Sequence, residues 1–185
     1  MKINFLFFVL ILILASCKKQ SELSKEFNCN SIELTNLKSY LDFKNNFKLY
    51  IPTYWKTNKY YSETQSDIFT ADTTKQLTET FILNTSYALG TINFDADFLK
   101  KTDSIITQNN FKKIQSKKTT FAELPAFWYI IKGKKNGFPY HQFNLIAIKS
   151  EVAYFSATVE IYGDLKIEER ICESISILEK IEFLQ

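Results

Sequence analysis

The chain is poor in the residues that most often carry chemistry or break up regular structure. Its 185 residues include one histidine, three cysteines, three prolines and four glycines. A lone His141 leaves no zinc site of the usual multi-histidine kind, and no Cys-x-x-Cys spacing replaces it. There is no phosphate loop, no Gly-x-Ser-x-Gly and no His-Glu-x-x-His, so no catalytic residue, metal ligand or cofactor is expected. A hydrolase would have to pair His141 with one of many serines, and no local pattern selects one, which makes that reading the least favoured. So few Gly and Pro exclude collagen-like and Pro/Gly-rich disordered chains. Neither sign of charge dominates. A formal net charge of +3 is no footprint for nucleic acid, and none is expected as a partner. What the chain has in quantity is aromatic: seventeen phenylalanines and ten tyrosines. With the β-branched residues they point to sheet.

Its strongest motif is at the start. Met1 and Lys2 form a short positive segment, and residues 3–14 are apolar except for Asn4. About a dozen residues cannot span the ~30 Å hydrocarbon core as a helix, which takes ~20. The run fits the apolar region of a secretory signal peptide. Leu14-Ala15-Ser16-Cys17 resembles the lipobox of bacterial lipoproteins. That resemblance implies cleavage after Ser16, a diacylglyceryl group on the Cys17 sulfur and a further acyl chain, such as palmitate, on its amine. Cysteine is required because the thiolate is the nucleophile that takes the lipid. Each buried methylene contributes ~0.8 kcal/mol, so several chains hold a protein where one does not. No Asp follows Cys17 and no acidic cluster follows Lys18-Lys19, so the expected location is the cell envelope, on the periplasmic face of the outer membrane. The expected division is a signal peptide over 1–16, a polar lipidated tether over 17–31 and one domain over 32–185.

Within that domain the patterns alternate, turn helical, then alternate again. Residues 47–51 alternate and stop at Pro52. A short strand is expected over 67–71 and a long alternating one over 77–89, the latter with Phe81, Leu83, Thr85, Tyr87 and Leu89 on one face. Residues 94–109 change to helical spacing, with Phe94, Phe98, Leu99, Ile105 and Ile106 as the apolar stripe and Asn93 or Asp95 as the cap. Strands over 111–121, 127–132, 140–148 and 152–162 follow. Asn136-Gly137 within the 133–137 turn supplies the two positive-φ positions of a tight hairpin. In 152–162, Phe155, Ala157, Val159 and Ile161 share the face expected to be buried. Asp164 is expected to cap a last helix carrying Ile167, Ile171, Ile175 and Leu178, and 181–183 to form an edge segment. Strands joined by tight turns pair antiparallel, so the fold class is α+β, an antiparallel sheet flanked by helices.

Four stretches resemble the PsbP-like domains: Phe47-Lys48-Leu49-Tyr50-Ile51-Pro52 leading to Trp55, Leu124-Pro125-Ala126-Phe127, Ala153-Tyr154-Phe155 and Ser174-Ile175-Ser176-Ile177-Leu178. That family includes a photosystem extrinsic subunit, a yeast Ran-binding protein and many bacterial lipoproteins. The resemblance covers about 45–183. It implies an α/β/α sandwich and a role in binding or assembly without a shared catalytic site. The photosystem subunit's metal-associated residues find no counterpart, so no metal is carried over.

The remaining candidates are set by residue chemistry. Cys29 and Cys172 are both free to pair in an oxidising compartment, or to stay as separate buried thiols. Tyr54, Trp55, Tyr60 and Tyr61 cluster outside any periodic segment and form a candidate binding loop, with Trp55 plugging the sheet end and the tyrosines reaching a partner. Lys112, Lys113, Lys117 and Lys118 with Lys132, Lys134 and Lys135 are edge protection or an anion-binding patch. Thr73 in Asp72-Thr73-Thr74 resembles the acceptor of O-glycosylation in Bacteroidota lipoproteins. The function expected is a lipid-anchored envelope protein that binds an envelope protein partner or helps to assemble a complex. The alternative is a small-ligand binder for lipid or glycan.

Overall fold

A computed structural model describes residues 20–184. The leader and Cys17 lie outside the described residues. The seven-stranded antiparallel sheet is ordered β3-β4-β5-β9-β8-β7-β6. Its strands are β3 (Lys56–Tyr61), β4 (Gln65–Ala71), β5 (Ile82–Leu89), β6 (Lys112–Phe121), β7 (Leu124–Lys135), β8 (Phe138–Ser150) and β9 (Ala153–Tyr162). A second antiparallel sheet places β2 (Phe47–Pro52) between β1 (Leu37–Leu41) and β10 (Glu182–Phe183). The helices are α1 (Glu22–Glu26), α2 (Ala96–Gln108) and α3 (Ile167–Leu178).

Period-two burial decides which face is which. Across β4, β5, β9, β8 and β7 the register brings Ile68, Thr85, Ala157, Leu145 and Trp128 into one row, and all five are buried. Leu83, Val159, Phe143 and Ile130 form the next row. This face is covered by α1, α3 and the small sheet. Phe27 packs tilted against Trp128 at 4.8 Å and edge-on to Phe143, and Phe47 meets Phe155 at 5.5 Å. Burying a side chain such as Phe155 contributes roughly 1.5–3 kcal/mol. The opposite face carries Phe127 and Tyr129, and α2 lies over that part through Phe94 and Phe98. The antiparallel sheet thus has helices on both sides.

The 152–162 register is as expected: Phe155, Ala157, Val159 and Ile161 are buried and pair with β8. Asn136 and Gly137 take φ of 54° and 83°, the left-handed pair of a two-residue hairpin, so β7 runs on to Lys135 and the turn is narrower than 133–137. Asp95 accepts from Phe98 N at 2.9 Å and caps α2.

Several expectations are corrected. Residues from Ser21 onward are not a tether over 17–31. Ser21 caps α1, Leu23 is buried in the core, and Glu22 accepts from the Thr120 backbone N–H at 2.9 Å. The polar look of this stretch hid one apolar residue per turn. Residues 77–80 are turn and bend, Phe81 lies outside any strand, and the strand starts at Ile82. Leu89 is exposed because the sheet ends there. α3 begins after Lys166, in the left-handed region at φ 50° and without a side-chain cap, so Asp164 does not cap it. β1, with its short polar alternation, gave no pattern to read.

Candidate functional site

The sequence-derived aromatic cluster does not form one loop. Trp55 is buried and packs edge-on to Phe81 at 5.2 Å. Tyr60 and Tyr61 lie on a strand, β3, and Tyr54 lies beyond its other end. Alternation explains the separation. Tyr61 points to the α3 side and meets Phe43 at 5.0 Å, while Tyr60 points to the α2 side and meets Phe69 at 5.5 Å. Tyr54, Tyr60 and Tyr61 are 55%, 55% and 68% exposed. Lys59 extends over the Phe43 ring at 4.5 Å and donates to Leu41 O, fastening the β1–β2 turn to the edge.

β3 and β6 are the two edges of the large sheet, and they are built differently. β6 carries Lys112, Lys113, Lys117 and Lys118 and a bulge between Lys113 and Gln115. Glu22 of α1 takes up the Thr120 N–H and hydroxyl, which holds the Glu22 carboxyl below its ordinary range. Lys113, Lys117 and Lys135 pair with Asp103, Glu26 and Glu160. Three of the seven lysines are thus held by local carboxylates. β3 has an unbroken six-residue register with β4 and no described strand on its other side. Such an edge presents unpaired backbone groups to an incoming strand.

No residue pattern had pointed to a second feature. A cleft of about 800 Å³ opens between α3, the 26–32 segment and the starts of β6 and β8. It is not under the tyrosines. Its apolar floor is Phe27, Ile32, Ile114, Ile130, Ile167 and Ile171, and Glu168, Glu169 and Glu173 stand along the α3 wall opposite Lys132 and His141. The Cys29–Cys172 disulfide, with Cα atoms 5.3 Å apart, ties the 26–32 wall to α3. Five separated segments contribute to it, so only the folded chain assembles it. Burial raises the Glu173 carboxyl above its ordinary value. Burial lowers His141, with Lys132 and Arg170 acting the same way and Asp164 against them. His141 Nδ1 is 3.9 Å from Asp164 Oδ1. No hydroxyl or free thiol is among the residues lining the cleft, so the pair has no nucleophile there to activate. Among the described residues no cluster of three His, Cys, Asp or Glu side chains could hold a metal.

Arg170 also escaped the sequence reading. Its buried guanidinium donates to Thr80 O and Tyr162 O, both at 2.9 Å, and to Leu165 O, pinning the start of α3 to the loops around it. Thr73 is exposed in the β4–β5 turn, which Asp72 holds by accepting from Thr74 N at 3.0 Å.

No family model matches the chain, and no curated protein matches it. Solved structures do. Cyanobacterial PsbP (CyanoP) from Synechocystis aligns with a TM-score of 0.50 at 10% identity, over 84% of this chain and 97% of that one. LpqN, involved in cell envelope biogenesis of Mycobacterium tuberculosis, aligns with a TM-score of 0.51 at 13% identity, over 91% and 99%. A Bacteroides thetaiotaomicron crystal structure gives 0.51 at 10% identity, over 82% of this chain and half of its own length. At these identities the likeness is one of fold, and the fold is PsbP-like α+β.

Proposed function

We propose that this chain is a lipid-anchored cell-envelope protein that binds a partner protein and catalyses no reaction. The observation that carries the reading is β3, an edge strand with a regular register, no described strand on its outer side and exposed Tyr60 and Tyr61 on its two faces. An extended segment of a partner can add to such an edge through backbone hydrogen bonds, while the two tyrosines grip it from either side. The protected β6 edge marks the contrast. The lipobox at Cys17 and the PsbP-like fold shared with an envelope-biogenesis protein support the envelope setting.

A photo-crosslinking residue at Asn58 in the full chain, expressed in its native envelope, tests the edge. An adduct is expected from Asn58, absent when the probe is at Lys118, and lost in the Tyr60→Ala, Tyr61→Ala double variant. Equal adducts from both edges, or adducts untouched by the double variant, would refute it.

The cleft favours a second reading, an amphiphile held by its apolar chain. Its floor is apolar and its α3 wall carries three carboxylates, a match for an amine head group. Displacement of a bound fluorescent naphthylamine by dodecylamine, but not by laurate, supports this reading. Equal displacement by both, or none by either, counts against it.

A further inference from the structure

The antiparallel register sorts every turn of the large sheet to one of two ends. The β3–β4, β6–β7 and β8–β9 turns lie at one, together with the exit from β5. The β4–β5 connection, the Asn136-Gly137 hairpin and the start of α3 lie at the other. The chain enters at the first end. Ser21 bonds to Glu179 at the close of α3, and Glu22 bonds to Thr120, one residue before the end of β6. The β1–β2 turn is there too, since Lys44 donates to Glu63 O and Leu184 N donates to Asn46 O at 2.8 Å.

We propose that this entry end rests on the surface of the membrane that holds Cys17, and that the lipid bilayer is the occupant of the apolar patch exposed there. The inference rests on the lipid-anchor reading. Three residues lie between Cys17 and the fixed Ser21, and the four Cα–Cα steps reach ~14 Å when fully extended, too short for a stalk. Val152 and Leu89 are 65% and 55% exposed at this end. Gly90 N donates to Val152 O at 2.8 Å, which holds the two side chains' segments together. Phe43 and Tyr61 form an exposed aromatic pair farther along the same end, and aromatic rings favour the headgroup level. Lys44 and Lys180 stand there exposed and Lys149 half-buried, interspersed with exposed Glu63, Glu123, Glu151 and Glu179, and Lys18 and Lys19 follow Cys17 in sequence, so apolar contact rather than net charge holds this end to the bilayer. β8 runs 13 residues from one end to the other, so the Asn136-Gly137 hairpin lies ~40 Å along the sheet from the entry end, with Thr73 at the same far end.

The test uses the full acylated chain in vesicles of phosphatidylethanolamine and phosphatidylglycerol that carry a nitroxide lipid. Val152→Cys and Leu89→Cys, labelled with an environment-sensitive fluorophore, are compared with Asn136→Cys and Thr73→Cys. All four sites are exposed, and the native disulfide stays oxidised. The expected result is a blue shift and loss of emission at Val152 and Leu89, with neither at Asn136 and Thr73, and the reverse order of quenching by aqueous iodide. Uniform quenching in an acylated protein, or stronger quenching at Asn136, overturns the orientation alone. A protein whose mass shows no acyl chain overturns the anchor reading and the orientation with it.

Discussion

Breaking the Cys29–Cys172 bridge should be the most costly small change in this protein. The bond closes a loop of 143 residues. In the chain-entropy account, opening a loop of that length returns about 5 kcal/mol of freedom to the unfolded chain at 25 °C. The native state loses little by comparison. Cys29 and Cys172 are both buried, and alanine at each leaves only a small void. α1 also keeps contacts of its own through Leu23, Phe27 on Trp128 and the Glu22–Thr120 bonds. The Cys29→Ala, Cys172→Ala variant should therefore stay folded while its midpoint falls. For a chain of this size 1 kcal/mol moves the midpoint ~2–4 °C, so the shift should be ~10–20 °C. Thermal unfolding followed by circular dichroism reads it, and reduction of the native protein should reproduce it. Hydrogen exchange should quicken first over residues 21–32, where the wall of the cleft is no longer tied to α3. A shift below ~2 °C, too little for even 1 kcal/mol, would show that the bridge does not constrain the unfolded chain and would sink the reasoning.

Other outcomes follow from single groups. Trp55→Ala should cost ~3–5 kcal/mol in urea unfolding, since a buried aromatic against Phe81 is removed. Tyr60→Ala with Tyr61→Ala should stay within ~1 kcal/mol of the parent, both side chains being exposed, so any large loss would mean the edge is structural rather than a docking surface. Arg170→Met should cost roughly 2–4 kcal/mol, because three buried or half-buried carbonyls lose their donor. His141 is held below its ordinary value of about 6.5, so the unfolded chain takes up the proton first. Stability should be full above about pH 7 and fall as pH drops through that value toward the lower folded one, and His141→Gln should flatten that slope in unfolding series. Glu173 has the opposite sign. Its raised carboxyl penalises the folded state at neutral pH, so Glu173→Gln should gain stability near pH 7 and not near pH 4. Cys17→Ala should abolish acyl labelling and leave the precursor uncleaved; retained labelling would remove the anchor reading.

Much of this protein is written in local pattern. The alternation of 153–162, the helical spacing around Phe98 and Ile106, the Asn136-Gly137 turn and the Asp95 cap each act within a few residues, so each was legible from neighbours alone. With antiparallel pairing they were enough for the α+β class. The resemblance of Leu14-Ala15-Ser16-Cys17 to a lipobox is read the same way, from four consecutive residues. Other features depended on distance. Leu23 looks like a stray apolar residue in a polar stretch until Trp128, Phe143 and α3 supply the core around its segment. Tyr60 and Tyr61 look like a loop because β3 carries polar residues on both faces, a sign of an edge that only the sheet order reveals. The cleft draws on segments more than 140 residues apart, joined by the disulfide, and no periodicity encodes it. The end of the sheet at which the described chain enters was decided last. It follows from Glu22 meeting Thr120 across 98 residues, a contact that tertiary packing alone creates.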